Sequence, residues 1–147
     1  MASKVSGTIT RVVKGRIHAN VQVLWKSIPL SVVITRESCD DMNLFEGDSI
    51  SVLMKSTDLI LAKAFRGILS ARNFITGVVI NILRGDVLSK VIFESQGETL
   101  CAIVTNASLE EMNIQTGEEI TAIVKSTELV LFKNNRGISM NGETLNC

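Results

Sequence analysis

The chain has 147 residues and carries 15 Lys+Arg against 15 Asp+Glu, so no net charge draws it to nucleic acid or to a membrane surface. Aromatic residues make up 4% and Tyr is absent, which leaves few platforms for stacking single-stranded bases; no apolar run approaches the roughly 20 residues of a membrane span. Three cysteines without a CxxC pair, and an N-terminal MASKVSGT without the apolar stretch of a signal peptide, predict free thiols and a cytoplasmic protein.

In chain order, VSGTITRVV reads as a strand that ends at the turn signal Lys14-Gly15, and RIHANVQVLW and IPLSVVIT read as two more. The pattern then changes. Thr35 is a predicted N-cap for a short helix containing Ser38, Asp40 and Asp41, Gly47 marks the turn after it, and the strands DSISVLMK and DLILAK complete the unit. The whole plan recurs at an offset of 70 residues without a gap. Gly7 falls on Gly77, Gly15 on Gly85, Gly47 on Gly117, Lys55-Ser56-Thr57 on Lys125-Ser126-Thr127, and Arg66-Gly67-Ile68 on Arg136-Gly137-Ile138. Five short strands and one helical turn per copy predict an all-β chain of two tandem OB-like barrels, residues 1–69 and 70–147.

Two domains this small have high surface-to-volume ratios, and 46% of the residues are apolar, so burial against other copies in a homo-oligomer is expected. The fourth strand of the second copy supports this expectation. Ile120, Ala122 and Val124 alternate onto a core face, which leaves Ile123 beside Lys125 on the outer face, as Leu53 is beside Lys55 in the first copy. An aliphatic residue there suits a subunit contact.

Catalysis has little to stand on, and the chain is not expected to be an enzyme. His18 is the only histidine, and Leu88 stands at its place in the second copy. Cys39 and Cys101 correspond to Leu109 and Ser31, and Cys147 has no counterpart, so no metal site or nucleophile is expected. Asp40-Asp41 and Glu110-Glu111 read as a solvated face without acid–base partners, and glycine-rich phosphate loops are absent. What remains is a set of oxyanion ligands. Lys55 and Lys125 end equivalent strands, each followed by Ser-Thr; Ser38 and Ser108 lie three residues beyond the helix caps; Ser70 and Arg72 open the second copy. Hydroxyls, an ammonium and a guanidinium without a carboxylate suit a compact dianion.

Ser70-Ala71-Arg72-Asn73 before a strand containing Gly77, the Thr-x-x-Ser of 105–108 and the Lys125-Ser126 strand end resemble the Mop domain, the molybdate-binding module related to TOBE domains. The resemblance spans both copies and is similar to a di-Mop molbindin. It implies OB-like barrels that assemble as homo-oligomers, trimers being favoured, and that hold molybdate or tungstate where Mop units meet, with no organic cofactor and no other metal. It assigns the oxyanion to Ser70, the Ala71 backbone N–H and Arg72, with Ser108 and Lys125 supplied by a neighbouring unit and Ser38 and Lys55 as first-copy equivalents. Asn73, Ser126 and Ser56 belong to the same motifs and complete the candidate set. The implied role is storage or homeostasis of the oxyanion in the cytoplasm; the alternative is a molybdate-responsive regulatory module acting through a protein partner. The first copy departs from the pattern. Residues 1 to 4 are Met-Ala-Ser-Lys, so no guanidinium stands where Arg72 stands in the second, and a flexible ammonium does not replace a bidentate fork. The tail from Ile138 to Gly142 begins like another such segment and supplies no third motif.

Overall fold

The computed structural model describes residues 1–133; the tail segment 138–142, the Arg136-Gly137-Ile138 match and Cys147 lie outside them. The first repeat forms β1 (Ala2–Lys14), β2 (His18–Trp25), β3 (Ile28–Thr35), α1 (Arg36–Met42), β4 (Ser49–Lys55) and β5 (Ile60–Ala62). The second repeats this order as β6 (Asn73–Arg84), β7 (Leu88–Ser95), β8 (Glu98–Thr105), α2 (Asn106–Met112), β9 (Glu119–Val124) and β10 (Leu129–Phe132). A short 3-10 turn follows each fourth strand, at Ser56–Asp58 and Ser126–Glu128. The all-β expectation holds: the strands build two curled five-stranded sheets of OB type.

The two sheets exchange their last strands. One runs β10-β4-β1-β2-β3 and the other β5-β9-β6-β7-β8, with every neighbouring pair antiparallel. Leu129 pairs with Met54 and Leu131 with Val52, while Ile60 pairs with Ile123 and Leu61 with Ala122. Each exchanged segment carries two leucines into the other repeat's core, Leu59 and Leu61 or Leu129 and Leu131, all at most 8% exposed. Burial of such a pair contributes on the order of 3–6 kcal/mol.

A lysine secures each exchange. Lys63 Nζ donates to the Met112 and Asn113 carbonyls at 3.2 and 3.0 Å and pairs with Glu118 at 2.6 Å. Lys133 does the same at Met42 and Asn43, 3.2 and 2.7 Å, and reaches Asp48 at 3.4 Å. These are the open carbonyls at the C-terminal ends of α2 and α1, where a cation complements the helix dipole.

Inward positions alternate along the strands as the pattern requires: Val21, Val23 and Trp25 on β2, Val91 and Phe93 on β7. Gly7 and Gly77 stand where strands cross closely. A Cβ would lie 2.5 Å from the Leu24 carbonyl oxygen at Gly7 and 2.6 Å from that of Glu94 at Gly77, so neither place admits a side chain.

Two expectations need correction. Ile123 faces away from the core but is only 2% exposed within the single chain, so it offers nothing to a subunit contact; Leu53 in the first copy remains partly exposed. β5 lies beside it, with Ile60 its register partner, and Phe74 flanks it on β6. The expectation of free thiols holds for Cys39, on the buried side of α1, and fails at Cys101, which is disulfide-bonded.

Candidate oxyanion-binding site

Each helix starts as its sequence dictates. Thr35 and Thr105 cap α1 and α2, accepting from the backbone N–H of Ser38 at 3.0 Å and of Ser108 at 3.1 Å, and donating to the Ser38 and Ser108 hydroxyls at 2.8 and 2.9 Å. The N–H groups at these two serines are therefore taken by the caps. The serine side chains stay exposed.

The SARN segment, residues 70–73, runs into β6. Its four residues divide by burial: Ser70 and Arg72 are exposed, Ala71 and Asn73 are buried. Asn73 is fully enclosed. Its Oδ1 accepts from the Ser31 backbone N–H at 2.7 Å, and its Nδ2 donates to the Ser31 and Val124 carbonyls at 2.9 and 3.2 Å. β3 is the outermost strand of its sheet, so the outward backbone groups of Ser31 have no strand partner, and the Asn73 amide supplies one. The asparagine docks one repeat on the other, and the arginine next to it is left facing solvent.

That docking forms a groove of about 610 Å³ between the repeats. Ser70, Arg72, Lys125, Ser126 and Thr127 of the second repeat line one side, with Thr10, Asn20, Gln22 and Ser31 of the first repeat opposite. Leu24, Pro29 and Val33 add apolar surface, and no carboxylate among the described residues lines the groove. The Ser126 hydroxyl donates to Ser31 Oγ at 3.1 Å, and Asn20 Nδ2 donates to the same oxygen at 2.8 Å. The single chain therefore brings Ser70, Arg72, Lys125 and Ser126 to one cavity, with Ala71 and Asn73 behind them.

The other candidates lie elsewhere. Ser108 lines a separate hollow of about 220 Å³ with Thr105, Ile60 and Leu61. Ser38 stands at the matching cap of α1. Ser56 is buried at the pseudo-equivalent junction, its Oγ 3.0 Å from Cys101 Sγ, while Ser3 Oγ accepts from the Cys101 N–H at 3.3 Å, in the place of Asn73. Lys55, next to Ser56, is exposed. Sequence reasoning did not single out Thr10, Asn20, Gln22 and Ser31. Their counterparts across the repeat are Ile80, Lys90, Ile92 and Cys101, and that mismatch on an outward face is the signal that would have found them.

The model of the TOBE domain matches residues 69–131. The chain is 30% identical over 127 residues to the molybdenum-pterin-binding protein MopA of Rhodobacter capsulatus, a match covering 84% of this chain and 48% of that relative. It is 36% identical over 65 residues to molybdenum-pterin-binding protein 2 of Clostridium pasteurianum, covering 44% of this chain and 96% of the relative. The chain thus spans about half the length of the longer of these two relatives. Among solved structures, the cytoplasmic molybdate-binding protein ModG, determined with molybdate bound, superposes with a TM-score of 0.85 at 27% identity; the match covers 90% of this chain and 96% of that one.

Proposed function

The chain belongs to the TOBE/Mop family, and on that premise we propose that it binds molybdate or tungstate and stores or buffers the oxyanion in the cytoplasm, without catalysing a reaction. The observation that carries this reading is the groove between the repeats, which gathers the Ser70 and Ser126 hydroxyls, the Arg72 guanidinium and the Lys125 ammonium and, among the described residues, no carboxylate. A tetrahedral dianion entering it exchanges its hydration shell for charge-assisted hydrogen bonds. The Arg72 fork gives direction, and Lys125 adds a point charge. Sulfate has the same charge and shape but is smaller, so size is the basis of its rejection, and tungstate, close to molybdate in size, is accepted.

Ser108 and Ser38 lie away from the groove, so their part in binding falls to contacts between copies in a homo-oligomer, with a trimer favoured. Phe74, Val78 and Ile80 along β6, exposed and apolar, are surface for such contacts. Isothermal titration of the full chain with molybdate, with sulfate as control and the oligomer mass measured in parallel, tests the proposal. Molybdate heat without sulfate heat is the expected result. Heat with neither anion refutes it.

A further inference from the structure

Ser31 takes part in four hydrogen bonds at the edge of the groove. Asn73 binds its backbone N–H and C=O, and its Oγ accepts from both Asn20 Nδ2 and Ser126 Oγ. A hydroxyl oxygen has two lone pairs and one proton. With Asn20 Nδ2 and Ser126 Oγ both donating, both lone pairs are engaged and the proton is the remaining hydrogen-bonding capacity; Asn20 Oδ1, buried on the same amide, has no partner of its own. Two incoming bonds also polarise the O–H and strengthen it as a donor. The group therefore presents a fixed donor on the wall facing the Arg72 and Lys125 side of the groove, where an anionic oxygen is the natural acceptor.

We propose that Ser31 is a further ligand of the oxyanion, donating its hydroxyl proton from the first repeat into the site opened by Ser70 and Arg72 of the second. This rests on the oxyanion reading given above and deepens it. It also makes the site one-sided. At the pseudo-equivalent junction the same place holds Cys101, 3.0 Å from Ser56, and sulfur is a weak hydrogen-bond partner. The other polar wall residues, Thr10, Asn20 and Gln22, give way there to Ile80, Lys90 and Ile92. Among the described residues, a wall of this composition thus occurs at one of the two junctions.

The test is molybdate titration of the full-length wild type alongside Ser31→Ala, Ser31→Thr and Ser31→Cys, with thermal unfolding and oligomer mass measured on each. A lost hydrogen bond to a charged ligand weakens binding by roughly tenfold to a hundredfold. That loss is expected in Ser31→Ala and Ser31→Cys. Ser31→Thr keeps the hydroxyl on a strand position that tolerates β-branching, so it retains affinity within about threefold. Wild-type affinity in Ser31→Ala overturns the proposal and leaves the oxyanion reading intact. Equal weakening in Ala and Thr variants, accompanied by a lower melting temperature, also overturns it, because the residue is then structural. Failure of the wild type to bind molybdate overturns both.

Discussion

Replacing Asn73 by alanine tests the junction on which the groove depends. The side chain is fully enclosed and makes three hydrogen bonds, two to the outer backbone edge of Ser31 and one to the Val124 carbonyl. Each bond contributes about 1 kcal/mol net, and each buried group left without a partner costs about 1–3 kcal/mol. The Ser31 edge adjoins the groove, so water recovers part of the loss there. The expected destabilisation is about 2–4 kcal/mol. For a chain of this length each kcal/mol lowers the melting temperature by about 2–4 °C, which gives a fall of roughly 5–15 °C. Asn73→Ser provides an internal control. The first copy has Ser3 at this place, where its hydroxyl accepts the Cys101 N–H at 3.3 Å, so the serine variant keeps a hydrogen bond at the junction and is expected to fall less far. Calorimetry at fixed protein concentration is the assay, since any oligomer makes the melting temperature concentration-dependent. A melting temperature within about 1 °C of wild type in Asn73→Ala refutes the reasoning, because it means that Asn73 does not secure the junction.

Arg72 is exposed and its guanidinium faces the groove, so Arg72→Ala is expected to weaken molybdate binding by about a hundredfold or more, with the melting temperature and oligomer mass unchanged; loss of assembly instead makes it structural. Gly77→Ala places a methyl 2.6 Å from the Glu94 carbonyl oxygen and 2.9 Å from the Phe93 ring, and it is expected to destabilise by about 1–3 kcal/mol in denaturant unfolding. Lys63→Ala and Lys133→Ala each remove one clasp between repeats; each is expected to lower the melting temperature by a few degrees and to speed hydrogen exchange in the exchanged strand it follows, β5 or β10. The pH dependence follows from three carboxylates. Glu118 is held below its ordinary 4.5 chiefly by its hydrogen bond to Lys63, Asp48 below 3.8 chiefly by the Phe45 N–H and then by Lys133, and Asp40 below 3.8 chiefly by Lys14. Depressed folded-state values mean that the unfolded chain binds more protons, so this contribution is complete above about pH 5 and is lost as pH falls through the folded values. A melting temperature that declines below about pH 4, with a shallower decline in Glu118→Gln, is expected; a profile unchanged by that substitution refutes the assignment.

The features legible in the sequence are those that short-range physics determines. Alternation of apolar residues marked the strands, Thr35 and Thr105 marked the helix starts, and the fixed offset between glycines marked the duplication. The partner of each fifth strand was not legible. DLILAK and ELVLFK carry the same inward leucines, so the pattern fits either sheet equally well and the choice rests on three-dimensional reach. Ile123 illustrates the same limit. Alternation correctly put it on the outer face, but nothing local reveals that the chain buries it there. For the site, the charged and hydroxyl-bearing ends of the second repeat were legible as motifs. The opposite wall was not, because Asn20, Gln22 and Ser31 read singly as ordinary outward residues of a hairpin.

That wall shows why the exchange of strands bears on binding. SARN opens β6 and Lys125-Ser126 closes β9, neighbours in one sheet, whereas Asn20, Gln22 and Ser31 belong to the β2–β3 hairpin of the other. The groove is therefore a property of how the sheets dock and of neither sheet alone. Docking is fixed at three kinds of place: the exchanged strands with their leucines, the lysine clasps on the helix ends, and the Asn73 amide at the edge of β3. A duplication that kept two identical junctions would offer two equivalent walls. In this chain one junction has Asn73, Ser31 and an arginine, and the other has Ser3, Cys101 and none, so the two have diverged in composition while both keep a hydrogen bond to the outer N–H of the edge strand. Retaining that bond in both preserves the dock, while the polar wall is concentrated at one junction, the one on which the proposed oxyanion site rests.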